Sequence, residues 1–399
     1  MINTAKIKYS FNFLLSLYLI TLYIYLPAAN IIMIVLLILG IYSITGFNLS
    51  SFNKYDKLII SIFILAPLSI GVFQIYHNEP LREFDNFSRF FLLLPIYLLS
   101  KNFKLNSNLF AKIFLFIPFI ILINILVTFD FNDDNLRYMG SSNVAITYGN
   151  LIMSLIIFSL TIIKKQSLPQ FGKSLPFISI LILLFIWGNT GTKGSLIGLV
   201  FVILFILSYR IYSPSIKMLA ITLPITFIVI LSTPIYDRMS DSYNHFLLNS
   251  KAIDHSTQER MYMYEKFIGI ISNKDSSLLY GIGSKSLKKV ISNSESELNY
   301  SISYDHLHND YIDIIAKYGL VSFFFFSLTY LVPFIIFTKF IHIKDCYYIS
   351  LLGIFHILST AGYSLTQTIT AHHQSITFFI ITSLILLGQI SFKYDNNLK

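Results

Sequence analysis

Apolar runs of roughly 18–20 residues recur along nearly the whole chain, separated by short polar turns. Each is long enough to cross a bilayer core of about 30 Å as a helix. The pattern predicts spans near 10–27, 29–46, 58–76, 88–100, 109–128, 144–163, 175–189, 194–209, 217–235, 319–338, 347–365 and 375–391. The expected fold is therefore an all-α integral membrane protein of about twelve transmembrane helices. The region 1–235 would hold spans 1–9 and 310–399 spans 10–12, with a large, partly helical outer loop, 236–309, between spans 9 and 10. The span at 88–100 is short and carries Arg89, and the seventh and eighth are joined by a tight turn, GNTGTKGS.

Within the long loop, Ser256 and Glu259 have capping-box spacing and predict a helix start. Met261, Tyr264, Ile268 and Ile271 then recur at helical spacing, as a stripe for the membrane surface or for other spans. A Gly-x-Gly turn follows at Gly281–Gly283, then a short basic helix at Ser284–Val290.

Charge adds orientation. Only 12% of the 399 residues are charged, about half the share of a soluble domain. The net charge of +9 is not spread evenly. With the N-terminus inside, Lys6, Lys8, Lys54, Lys57, Lys101, Lys104, Lys164, Lys165, Lys339, Lys344 and Lys393 fall at inner ends, and the short outer turns hold only Arg82, Arg89, Arg137 and Lys193. The basic excess is topogenic, which argues against a nucleic-acid partner. The first apolar run follows Lys6 and Lys8, as in a signal peptide. A second span follows at once without an A-x-A site, so it reads as an uncleaved helix. The lone Cys346 excludes an internal disulfide and a cysteine-rich metal site.

Against this hydrocarbon background, YDHLHNDYIDIIAKYG at Tyr304–Gly319 is dense in reactive groups. If Asp305 caps the next helix, His308 lies in its first turn, where the helix dipole favours a neutral imidazole suited to general-base work on a hydroxyl. His306, two residues earlier, would face away, and Asn309 would orient substrate or imidazole. The plainer alternative is an interfacial histidine that only caps or hydrogen-bonds. His306-x-His308 with Asp310 also has ligand spacing, yet no His-x-x-x-His or Cys pair accompanies it, so no metal is expected.

Three cations complete the candidate site. Arg260 opens the loop helix, where an arginine fork at a helix end suits a phosphate; a salt bridge to Glu259 is the alternative. Lys193 sits between glycines that let a ligand approach the backbone; the alternative is a snorkelling lysine. Arg137 has a weaker claim. Together they describe a site for a diphosphate whose lipid tail lies in the bilayer, with a base to activate an incoming hydroxyl.

These segments resemble a known family, the bacterial O-antigen ligases, within a wider ligase/polymerase superfamily of polytopic membrane glycosyltransferases. The resemblance rests on His306-Leu307-His308-Asn309-Asp310-Tyr311 running into Lys317-Tyr318-Gly319-Leu320, on Arg260-Met261-Tyr262-Met263-Tyr264-Glu265, and on Thr190-Gly191-Thr192-Lys193-Gly194. It implies that His308 is the base and that Arg260 and Lys193 hold the diphosphate. Ligases usually carry arginine at the Lys193 position, so this chain departs there. The implied reaction is a metal-independent, inverting transfer of O-antigen from undecaprenyl diphosphate to lipid A–core, at the periplasmic face of the inner membrane and with no cofactor. An O-antigen polymerase, or a non-enzymatic transporter of lipid-linked glycans, are the alternatives. A transporter predicts charges deep within several spans, whereas here they gather at the outer surface.

Overall fold

The computed structural model describes residues 4–44, 52–130, 137–142, 144–162, 174–209, 224–233, 235–236, 239–240, 243, 255–272, 278–292 and 305–397. Among these residues regular structure is helical, without strands. The helices are α1 (Thr4–Ile24), α2 (Leu26–Ile44), α3 (Lys54–Tyr76), α4 (Asp85–Leu92), α5 (Leu94–Asn102), α6 (Ser107–Thr128), α7 (Ala145–Ile162), α8 (Ser174–Thr190), α9 (Ser195–Ser208), α10 (His255–Ser272), α11 (Ser284–Ser292), α12 (Asp310–Phe340), α13 (Tyr347–Ser364) and α14 (His373–Asn397). Residues 224–231 are helical as well. Among the described residues, six helices are long and apolar enough to cross a membrane: α1, α2, α3, α6, α12 and α14. Helices α7, α8 and α9 are shorter and equally apolar.

The expected span at 88–100 is two helices. Helix α4 closes at Leu93, and α5 restarts with Pro95 in its first turn. Proline supplies no N–H to the ladder and its ring crowds the preceding turn, which favours a break at this point.

Helix α14 lies against α5 and α13, and α12 against α3 and α13. Helices α9 and α13 cross at Gly198 and Gly362, where a Cβ on either would strike the other helix. Such small-residue contacts let apolar helices associate without a hydrophobic drive from water. At one end of the bundle α3, α5 and α14 are tied by a buried ion pair. The Asp56 carboxylate accepts from Tyr97 and Lys101 and, at 2.5 Å, from Ser391; Lys101 also reaches Asp395 at 3.1 Å. Every partner at this buried carboxylate is a donor, which offsets its desolvation.

A small separate core builds the opposite feature, a cap. Tyr262, Met263, Leu287, Ile291, Leu307 and Ala316 are buried together, so α10 and α11 pack on the start of α12. The expected stripe on α10 is only partly the buried one. Met261, Ile268 and Ile271 are exposed, while Phe267 and Ile270 join Tyr262 and Met263 in the core. The helix begins at His255, and the Ser256 side chain lies outside the described residues.

Gly319 locks the cap to α12. Its φ of 78° breaks the helix there, and a Cβ would collide with the Leu279 carbonyl. The break frees carbonyls that the Gly-x-Gly turn then uses. Ile282 N–H donates to Ala316 O at 2.8 Å, Gly283 N–H to Lys317 O at 3.0 Å, and Leu320 N–H to Leu278 O at 3.0 Å. The two glycine signals of the sequence are thus two halves of one joint.

Candidate functional site

The polar cluster is built around the first turn of α12. Asn309, not Asp305, is the cap: its side chain accepts from Tyr311 and Ile312 N–H at 3.0 and 3.4 Å. An asparagine cap satisfies two of the helix's orphan donors. Asn309 Nδ2 donates to Leu365 O at 3.2 Å, so its amide is occupied by structure on both ends.

His308 therefore precedes the helix instead of lying in its first turn. It adopts a left-handed φ of 50°, uncommon for a residue with a Cβ and costing about 1–2 kcal/mol. Its neighbours enforce it. Leu307 N–H is held by Asp313 Oδ1 at 2.9 Å, with the Leu307 side chain in the cap core, and Asn309 is fixed as the cap. Strain maintained this way is characteristic of positions held for function.

His308 is buried, and its pKa is pushed down to about 2. Burial is the main cause, followed by the charges of His306, Arg260 and His372. The neutral imidazole expected from the helix dipole is thus produced chiefly by desolvation. His306 does not face away. Its ring stands edge-on to His308 at 4.8 Å between centroids, and its Nδ1 meets Asp305 Oδ1 at 3.2 Å. That hydrogen bond holds the Asp305 carboxyl below the usual carboxylate range.

Asp310, third in the ligand-like spacing, is committed elsewhere. Its carboxylate accepts from Ile369 N–H and Thr370 N–H, each at 3.0 Å, and from Thr370 Oγ1 at 2.6 Å. This pins the turn between α13 and α14 to the base of α12, and carries His372 to within 5.9 Å of the His306 ring. His372 is itself lowered to about 4, by burial first and then by His306 and His373. From sequence His372 has a place beside His306 and His308 only as an added ligand in the disfavoured metal reading; nothing local marks a contact between residues so far apart in the chain.

The cations converge on the same place. Lys193 Nζ donates to Thr257 Oγ1 at 3.4 Å, one turn before Arg260 on α10. Arg260 is close enough to depress His308. Tyr264, one turn after Arg260, reaches Leu365 O at 3.4 Å, the carbonyl that also receives Asn309. The Lys193 turn is rigid. Gly191 takes a φ of 59°, Thr192 Oγ1 donates to Ala145 O at 3.1 Å, and Trp187 Nε1 donates to Ser195 Oγ at 2.7 Å. Arg137 braces it: Nε donates to Thr190 O at 2.8 Å and Nη2 to Thr192 Oγ1 at 3.4 Å. So Arg137, Lys193, Arg260, His306 and His308, drawn from four separate stretches, form one connected patch.

Residues 178–327 match the family described as O-antigen ligase. The matched stretch runs from α8 into α12 and includes Lys193, Arg260, His306, His308 and Asn309. Over that stretch the chain is similar to this family. The chain is also similar to an uncharacterized protein of Haemophilus influenzae, 28% identical over 96% of this chain and 99% of that relative.

Proposed function

We propose that the protein is an O-antigen ligase. It would take the glycan from undecaprenyl diphosphate and join it to a sugar hydroxyl of lipid A–core, at the periplasmic face of the inner membrane. One observation carries this reading: Lys193 contacts α10 at Thr257, one turn before Arg260, and Arg260 acts on a neutral, buried His308.

The chemistry follows from that arrangement. Lys193 and Arg260 hold the diphosphate, which departs with the electron pair of the broken sugar–oxygen bond; their charge is already in place when negative charge develops. His308 takes the proton of the acceptor hydroxyl as that oxygen attacks the anomeric carbon from the opposite side. The donor's negative charge also offsets Arg260, one of the charges that depress His308. Donor binding thereby moves His308 toward a stronger base, though burial remains the larger influence. Arg137 supports Lys193 by bracing its turn.

The lipopolysaccharide pattern of a deletion strain tests this reading. A ligase deletion leaves bare core while lipid-linked polymer accumulates. Core bearing a single repeat unit would instead identify a polymerase.

A further inference from the structure

We infer that Asp85, Asn86 and Arg89 of α4, with His373 at the start of α14, form a saccharide subsite that receives the acceptor sugar. The inference rests on the transfer reaction proposed above.

The contacts run in sequence away from the cations. Arg260 acts on His308, whose ring meets His306, whose ring in turn meets His372. His373 is next in the chain, and its Nδ1 contacts Arg89 Nη2 at 3.1 Å and Asp85 Oδ2 at 3.3 Å. Arg260 and this second group thus stand at the two ends of one run of contacts through the histidines, the arrangement expected if donor and acceptor approach the base from different ends.

The second group has unspent hydrogen-bonding capacity of two kinds. Arg89 uses Nη1 on Thr377 at 2.6 Å and Nη2 on Asp85 and His373, while its buried Nε–H has no acceptor. Asn86, three residues earlier on the same helix face, donates Nδ2 to Thr370 O at 2.8 Å, while its buried Oδ1 has no donor. Buried groups left in this state are rare and costly. A pair of neighbouring sugar hydroxyls supplies both needs at once, since each hydroxyl donates and accepts. Asp85 and His373 stand exposed at this lip, with side chains 53% and 61% accessible, as entry contacts. The subsite is also fixed to the base. Thr370 gives its carbonyl to Asn86 and its N–H and hydroxyl to Asp310, the first residue of the helix that follows His308.

Saturation-transfer NMR with delipidated core oligosaccharide tests this without turnover. The full chain carrying His308→Ala is the parent, compared with His308→Ala combined with Arg89→Gln or with His373→Ala. Loss of one subsite hydrogen bond should weaken saccharide binding by roughly threefold to tenfold in either, with donor binding unchanged. The exposed His373 carries the test even if Arg89→Gln disturbs the fold. Undiminished saccharide binding in the His373→Ala form, no saccharide binding by the parent, or an equal loss of donor binding would each overturn the subsite. The transfer reading is judged separately, by whether His308→Ala alone abolishes ligation.

Discussion

His306 stands edge-on to His308, ring centroids 4.8 Å apart, with its Nδ1 on Asp305. The ring contact limits how His308 can turn, and His306 also contributes to its low pKa. Replacing His306 should therefore do two opposed things: loosen the base and make it more basic. We expect His306→Ala to lower kcat by roughly tenfold, less than the 10²–10⁴-fold typical of losing a general base. Turnover at matched expression checks this, and an unchanged kcat would show that the ring contact is incidental.

Lys193 and Arg260, proposed to hold the diphosphate, should separate from the base in their effects. Arg260→Ala and Lys193→Ala should weaken donor binding by tenfold or more each, about the worth of a charge-assisted contact. Lys193→Arg should retain most activity, since arginine keeps the charge and adds a fork. Donor binding measured on purified variants decides it. Alanine variants with normal binding would remove the diphosphate role.

Titration of His308 gives a directional test. Burial and neighbouring positive charge both hold its folded pKa far below that of an unfolded histidine. Between those two values the unfolded chain binds the extra proton, so this group's contribution to stability is present above the unfolded pKa. It is lost progressively as pH falls through the window down to the folded value. NMR should find His308 neutral at about pH 5, well below the ordinary histidine range. A diphosphate lipid should move its pKa upward by offsetting Arg260. A His308 that titrates normally in the free protein would contradict the buried base.

Gly319→Ala should be among the most damaging substitutions away from the histidines. The left-handed φ and the Leu279 carbonyl both oppose a Cβ, and the joint holds the 278–283 segment to α12. We expect a thermal midpoint lower by several degrees, consistent with a cost of about 1–2 kcal/mol or more. Differential scanning fluorimetry in detergent would show it, and an unchanged midpoint would remove Gly319 as the cap's anchor.

The residues explain which parts of this arrangement the sequence could show. The long apolar runs place most helices, and the glycines at 191, 281, 283 and 319 mark the turns that hold the cap and the Lys193 loop. The sequence reading expects the cap at Asp305, yet Asn309 and Asp310 are cap-forming residue types too; Asn309 is the cap, with Leu307 drawn into the cap core and Asp310 into the 369–370 turn. That shift moved His308 off the helix and brought His306 against it. On α10 both faces are apolar, so spacing alone could not say that Phe267 and Ile270, not Ile268 and Ile271, would be covered. The contacts of His372 depend on folding α13 back along α12, which no local pattern records.

The central claim is that His308 removes the acceptor's proton while Lys193 and Arg260 hold the donor. It is tested most directly by single-turnover transfer from undecaprenyl diphosphate-linked glycan to lipid A–core, using purified wild type and His308→Ala. The account predicts that His308→Ala binds donor with wild-type affinity and transfers at least 10²-fold more slowly. Transfer at the wild-type rate, or a loss explained entirely by failed donor binding, would contradict it.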